Sequence, residues 1–149
     1  MQRGEEAPTE AEASETARTP ADRVDITSDQ RAFTVLLRNA LFSVLRSLAR
    51  KDWESAAQAF EGEGDPVTPS SLEASFAPFF EQHSAVRLDP AGRSPRNTRI
   101  VSRGEAFWQV EQIVADPEAF NDWALFCRVD LERSRAAGHP VLTLDRIGT

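Results

Sequence analysis

The sequence predicts an α+β fold, in which three N-terminal helices are packed on a curved antiparallel sheet. Two observations carry this prediction. Between residues 27 and 83 the apolar residues recur at three- and four-residue spacing, which is typical of amphipathic helices. From residue 85 onward they alternate with a period of two, which is typical of strands with one buried face. A run of helices followed by a run of strands favours an α+β order.

The first two helices are predicted between residues 27 and 60. Residues 29–50 carry a long apolar stripe, and Thr27 with Gln30 fits a capping box at its start. Asp52 is expected to cap a second, shorter helix. We therefore expect a long helix, a tight connection and a short helix.

The third helix is predicted to begin at Thr68, because the next residue, Pro69, suits the first position of a helix. Pro78 lies inside its apolar stripe and is expected to kink the helix or split it in two. The expected buried positions of this helix are Leu72, Phe76, Phe79, Phe80 and His83.

Strands are predicted from residue 85 to the end of the chain. The segments "AVRLD" and "NTRIVSR" are short candidates on either side of a turn-rich connection, residues 90–95, which is expected to project into solvent. Residues 106–114 form the next strand, residues 134–140 a loop and residues 141–147 the last strand. Residues 121–134 show strict alternation, with apolar side chains at Trp123, Leu125, Cys127, Val129 and Leu131.

The N-terminal residues differ in composition from the rest. Residues 2–23 contain no Val, Ile, Leu, Phe or Trp, and their net charge is −3. Such a segment cannot bury enough apolar surface to offset its chain entropy. We expect residues 1–26 to be a disordered acidic tail or linker and residues 27–149 to be the folded domain.

Composition limits the classes of function. The net charge is −7, which makes the chain a poor general partner for phosphate backbones. Cys127 is the single cysteine, so no internal disulfide can form, and a buried, inert thiol is expected. No apolar run approaches the roughly 18 residues of a membrane span, and the acidic N-terminus does not fit a signal peptide. A cytoplasmic protein without membrane contact is expected.

The predicted layout resembles the nuclear transport factor 2-like fold, a cone with a pocket at its wide end. The segments "RAFTVLLRNALFSVLRSLARKDWESAA", "RNTRI", "FWQVEQIVADPEAFNDW" and "VDLERSRAAG" resemble the C-terminal domain of a group of bacterial DEAD/DEAH-box RNA helicases. The resemblance implies a domain that follows two motor lobes. The chain has no G-x-x-x-x-G-K-[ST] loop and no D-E-A-D or D-E-x-H box, so ATP hydrolysis cannot be carried over to it.

Acid–base catalysis finds little support in the sequence. Enzymes with the cone fold that resemble the ketosteroid isomerases use Asp with Tyr, and this chain has no Tyr. Glu111 and Asp130 are expected on the solvated face of the sheet. His83 and His139 are not expected to meet. We therefore predict no catalytic residue, no metal site and no cofactor.

Two groups of residues are candidate binding sites. Trp108, Gln112 and Trp123 either pack in the core or form the rim of a pocket; Gln112 is informative because it interrupts an apolar face with an amide that needs partners. Five arginines against one aspartate give residues 87–103 a net charge of +4. That patch either pairs with nearby acids or contacts RNA phosphates or an acidic partner surface. Its candidate contact residues are Arg93, Arg96, Arg99 and Arg103.

The leading hypothesis is a non-catalytic accessory domain of a DEAD/DEAH-box RNA helicase, which helps to position RNA or a protein partner. Its partners would be helicase motor domains or another protein, with weak RNA contact. The alternative is a small-molecule-binding or lyase/isomerase-type enzyme that uses the cone pocket. A third hypothesis is a homodimer through the outer face of the sheet.

Overall fold

A computed structural model describes residues 25–64 and 66–149. The first 24 residues of the predicted tail lie outside the described residues. Helices precede strands and the sheet is antiparallel, so the α+β prediction is confirmed. The elements, in chain order, are α1 (Gln30–Ala49), α2 (Trp53–Gln58), α3 (Pro69–Gln82), a 3-10 turn (Pro95–Asn97), β1 (Thr98–Arg103), β2 (Phe107–Val114), β3 (Trp123–Asp130), α4 (Leu131–Ala137) and β4 (Val141–Gly148).

The start of α1 differs from the prediction. Asp29 is the N-cap, and its carboxylate accepts hydrogen bonds from the backbone N–H groups of Arg31 and Ala32. The predicted capping box of Thr27 and Gln30 is wrong, because the Thr27 hydroxyl donates to Asp25 instead. Asp29 lies directly before the first turn, so its carboxylate satisfies free N–H groups of the helix.

Helix α3 begins as predicted and continues past its internal proline. Thr68 and Ser71 form a reciprocal capping box, with Pro69 in the first turn. The predicted split at Pro78 is wrong, since α3 runs unbroken to Gln82. Pro78 cannot donate to the carbonyl of Ala74, but both residues are exposed, so water can solvate that carbonyl.

The four strands form one open sheet in the order β1-β2-β3-β4. Residues 106–114 and 141–147 are strands almost as predicted. The segment "AVRLD" is not a strand: Arg87 donates one backbone hydrogen bond to Ala115 at 2.8 Å, without a ladder. The third strand ends at Asp130, whose side chain caps α4. A short helix therefore replaces the expected strand over 131–134 and the first part, to residue 137, of the expected loop over 134–140.

The core lies between the sheet and helices α1 to α3. Trp108 packs edge-on against Phe33 of α1, with ring centroids 5.2 Å apart. Trp123 packs edge-on against Phe76 and Phe79 of α3. The largest fully buried side chains are Phe33, Phe76, Phe79, Leu37, Leu41, Leu45, Leu48, Leu72, Leu125, Leu142, Val44 and Val110.

Helix α1 is long and apolar enough, by length and composition, to cross a membrane. No segment of this kind was expected from the sequence. The core explains much of that apolarity, because the stripe from Phe33 to Leu48 is buried against the sheet and the other helices.

The opposite face of the sheet carries cross-strand ion pairs next to exposed apolar side chains, Val101 and Phe107. Arg99 contacts Glu111 at 2.7 Å, and Arg128 contacts Asp145 at 2.9 Å. These pairs neutralise much of the charge on this face.

Candidate functional site

A polar cavity of about 360 Å³ opens between α1, the β1–β2 edge of the sheet and the segment 90–95. Two arginines contribute to it from distant parts of the chain, and its lining includes no carboxylate from the described residues. The surroundings therefore favour an anionic or neutral polar ligand. The lining residues are Arg38, Asn39, Phe42, Pro90, Arg93, Ser94, Thr98 and Gln112.

Gln112 lies where the cavity meets the core. It is 4 % exposed, and its side-chain oxygen accepts a hydrogen bond from the Thr98 hydroxyl at 2.5 Å. Its side-chain nitrogen donates to the Ile113 carbonyl at 3.1 Å. Because both ends of the amide have partners, Gln112 presents a fixed polar surface to the cavity.

Phe42 supports the arginines on the helix side of the cavity. The Arg93 guanidinium lies 5.6 Å from the centre of the Phe42 ring, and that of Arg46 lies 5.3 Å from it. These cation–π contacts orient both guanidinium groups without neutralising their charge.

A second surface cavity, of about 480 Å³, adjoins the first through Arg38, which lines both. We call the two together the basic groove. Helix α1 supplies its central wall, and this helix contains three arginines and no acidic residue. The lining residues of the second cavity are Gln30, Arg31, Thr34, Val35, Arg38 and Arg103.

The segment that carries Arg93 is folded back on itself. Pro90, Ala91, Arg93 and Pro95 are exposed, in line with the prediction, whereas Gly92 is buried and a Cβ there would clash with the Arg87 carbonyl oxygen. The Asp89 carboxylate accepts the Gly92 N–H at 3.0 Å, and Asn97 donates to the Gly92 carbonyl. The hydrogen bond from the Gly92 N–H holds the pKa of Asp89 below its usual value, and Arg87 adds a smaller effect in the same direction. The carboxylate therefore stays charged and keeps the turn closed.

The predicted arginine patch is divided between two faces of the sheet. Arg93 and Arg103 line the basic groove, whereas Arg99 lies on the opposite face in its pair with Glu111. Arg96 is exposed in the 3-10 turn and lines neither cavity.

A β-bulge explains this division. The register of β1 against β2 shifts between Ile100 and Ser102. Arg99 is therefore opposite Glu111, while Arg103 is opposite Trp108 on the other face. The Arg103 guanidinium lies 5.2 Å from the Trp108 ring centre.

The other predicted group, Trp108, Gln112 and Trp123, does not share one rim. The two tryptophans are 3 % and 5 % exposed. Trp108 pairs with Val129 and Trp123 with Val114, at opposite ends of the β2–β3 ladder. Six residues of strand correspond to about 20 Å, and of the three only Gln112 lines the cavity.

The cavity residues of α1, above all Arg31, Arg38 and Phe42, were not predicted from the sequence. A signal for them was present. Arg31, Val35, Arg38 and Phe42 follow one another at helical spacing, beside the buried stripe. The apolar stripe dominates the pattern of this helix, so the second face is less apparent from the sequence. Its contact with segment 90–95 depends on long-range packing.

Comparison with known families shows a match over nearly the whole chain. The model of a family described as a domain of unknown function (DUF3516) matches residues 2–147, nearly the whole chain. The comparison with curated proteins and the comparison with solved structures found no match.

Proposed function

The chain belongs to this family of unknown function, DUF3516, and we propose that it is a non-catalytic accessory domain that binds single-stranded RNA in the basic groove. In the proposal the domain works with the motor of a DEAD/DEAH-box RNA helicase in the cytoplasm. The proposal also assigns it to the nuclear transport factor 2-like folds, with which the order of helices and the antiparallel sheet are compatible.

The observation that carries the proposal is the convergence of Arg38 and Arg93 on one polar cavity without a carboxylate. The two residues come from α1 and from a turn more than fifty residues later. Arginine binds phosphate through a planar group with several donors, which suits an RNA backbone.

The extent of the groove supports a chain-like ligand. Arg31 and Arg103 in the second cavity continue the positive surface beyond Arg38. Residues 24–149 together carry a net charge of −4, so the groove is a local positive region on an acidic body. Such a distribution orients an anionic strand toward one face and keeps affinity low.

The enzyme alternative finds no corresponding support. Among the described residues, those that line the 360 Å³ cavity include no Asp, Glu, His, Cys or Tyr to exchange a proton with a substrate. The cavity is suited to hold a ligand in place. The homodimer alternative would use the opposite face, where Val101 and Phe107 are exposed between the ion pairs.

Binding of a fluorescently labelled single-stranded RNA at several salt concentrations tests the proposal. Three to five phosphate contacts give a slope of log affinity against log salt of about −2 to −3.5. The dissociation constant is expected in the micromolar range or weaker, about that of non-specific binding. The variant Arg38→Gln/Arg93→Gln removes two contacts, so its slope should be flatter by about 1.4.

The matched control is Arg99→Gln/Arg128→Gln, which changes the net charge equally but on the opposite face. Its affinity and slope should stay close to those of the wild type. Equal losses in both variants would mean that only overall charge matters. Absence of binding at low salt would favour a protein partner.

A further inference from the structure

A second cluster of side chains lies at the other end of the molecule from Arg103, where α3 meets the β2–β3 connection. His83 is the residue after α3 and is 3 % exposed. Asp116 is fully buried, and Glu118 and Asp122 are each about half exposed. Three carboxylates thus surround one buried imidazole ring.

The hydrogen bonding of His83 indicates which ring nitrogen carries the proton. Nδ1 lies 2.7 Å from the Glu118 carboxylate oxygen Oε1, so it donates its hydrogen there. In the neutral ring Nε2 then carries a lone pair. This nitrogen is buried and has no hydrogen-bond partner in the part of the chain that the structure describes.

The Asp122 carboxylate faces that lone pair. Its Oδ1 lies 3.8 Å from Nε2, which is too long for a hydrogen bond. Two ligands at the usual distance of about 2.1 Å from a tetrahedral zinc ion are about 3.4 Å apart. The observed separation is close to that value, and a cation between the two groups would satisfy both.

Asp116 supplies a third candidate ligand. One ligand atom from each of His83, Asp116 and Asp122 lies within 4.8 Å of the other two, and Asp116 Oδ1 lies 3.8 Å from Nδ1 of the ring. Both oxygens of the Asp116 carboxylate accept backbone N–H groups, from Phe120 and Asn121, and such hydrogen bonds favour the charged form. The carboxylate is therefore anionic, as a metal ligand must be.

The surroundings hold the ring in place. Phe79 and Phe120 both pack against the His83 ring, with ring centroids 4.9 and 5.9 Å away. Glu118 accepts the Nδ1 hydrogen. In many metal sites a carboxylate in this position fixes the tautomer of the metal-bound histidine. The loop that carries the acids is clamped by Asp116, which accepts the N–H groups of Phe120 and Asn121.

We propose that His83 Nε2, Asp116 and Asp122 bind a divalent metal ion of the zinc class, with Glu118 as a positioning residue. Imidazole combined with carboxylates suits Zn²⁺ better than Mg²⁺ or Ca²⁺, which prefer oxygen ligands alone. Water would complete the coordination, since Asp122 is at the surface. The metal joins the end of α3 to the β2–β3 connection, beside the core tryptophan Trp123. No metal site was predicted from the sequence, where only a site shared by His83 and His139 was considered.

Calorimetric titration of tag-free, chelator-treated protein with ZnCl₂ and with MgCl₂ at pH 7 tests the proposal. One equivalent of Zn²⁺ should bind, and Mg²⁺ should bind much more weakly. His83→Gln and Asp122→Asn should each weaken Zn²⁺ binding at least tenfold, and Glu118→Gln should weaken it by about 10- to 100-fold.

His139→Gln is the matched control, because His139 also lies 2.7 Å from a glutamate, Glu61, but at the surface. This variant should bind Zn²⁺ like the wild type. Asp122 is exposed, so Asp122→Asn should remain folded, which circular dichroism checks. Zn²⁺ should raise the melting temperature of the wild type and not that of Asp122→Asn. Absence of saturable Zn²⁺ binding, or equal binding by folded Asp122→Asn, would overturn the proposal.

Discussion

Gln112 shows how one residue connects the core to the candidate site. An amide within the apolar face of a strand requires hydrogen-bond partners. Thr98 and Ile113 supply them, so Gln112 stays buried and still forms part of the cavity lining. The sequence identified the anomaly, but the partner on the neighbouring strand depends on the register between β1 and β2.

Cys127 gives a test at the residue scale. Burial raises the pKa of its thiol to about 12, with a smaller contribution from the charge of the nearby Asp145. An unfolded chain loses this proton at a pKa of about 8.5. The neutral buried thiol therefore contributes stability that is fully present below about pH 8.5 and is lost as the pH rises toward 12, by at most about 1.4 kcal/mol per pH unit.

Urea unfolding between pH 7 and 10 under reducing conditions, compared with Cys127→Ala, measures this loss. The chain has no Tyr and one Lys, so few other groups titrate in that range. The difference in unfolding free energy between wild type and variant should shrink above pH 8.5. A difference independent of pH would show that the native thiol titrates normally.

At the scale of elements, the sequence predicted the starts of helices best where a clear capping residue is present. Thr68 with Pro69 marked the start of α3, and Asp52 marked that of α2. Asp130 was missed as a cap because the alternation continues through Leu131, which is itself buried. Alternation alone could not show that one further apolar residue belongs to a helix.

Helix α4 should depend on that cap. The Asp130 carboxylate accepts the Arg133 N–H at 2.9 Å, so Asp130→Ala should lower the unfolding free energy by about 0.5–2 kcal/mol. The control, Glu132→Ala, removes an acid of the same first turn that is not the N-cap, and should cost less, about 0.3–1 kcal/mol. Chemical denaturation measures both. An equal or larger loss for Glu132→Ala would mean that the cap does not stabilise α4.

At the scale of the whole molecule, the order of helices and strands could be predicted from the change in the spacing of apolar residues. The candidate site could not be predicted in this way. The groove forms because α1 packs against β1 and β2 and against segment 90–95, far away in sequence. The bulge in β1 places Arg103 on the same face of the sheet as Arg38, whereas Arg99 lies on the opposite face. Neither the packing nor the bulge leaves a pattern that composition or spacing alone reveals.

The most direct test of the central claim, that RNA binds in the basic groove, uses the three tryptophans as reporters in NMR spectra of the ¹⁵N-labelled protein. Trp108 lies beneath Arg103, whereas Trp53 and Trp123 pack around Phe76 near α3. Addition of single-stranded RNA at low salt should shift the Trp108 indole signal and the Gly92 amide, and leave the indole signals of Trp53 and Trp123 in place. Shifts at Trp53 or Trp123 without a shift at Trp108, or no shifts at saturating RNA, would contradict the claim.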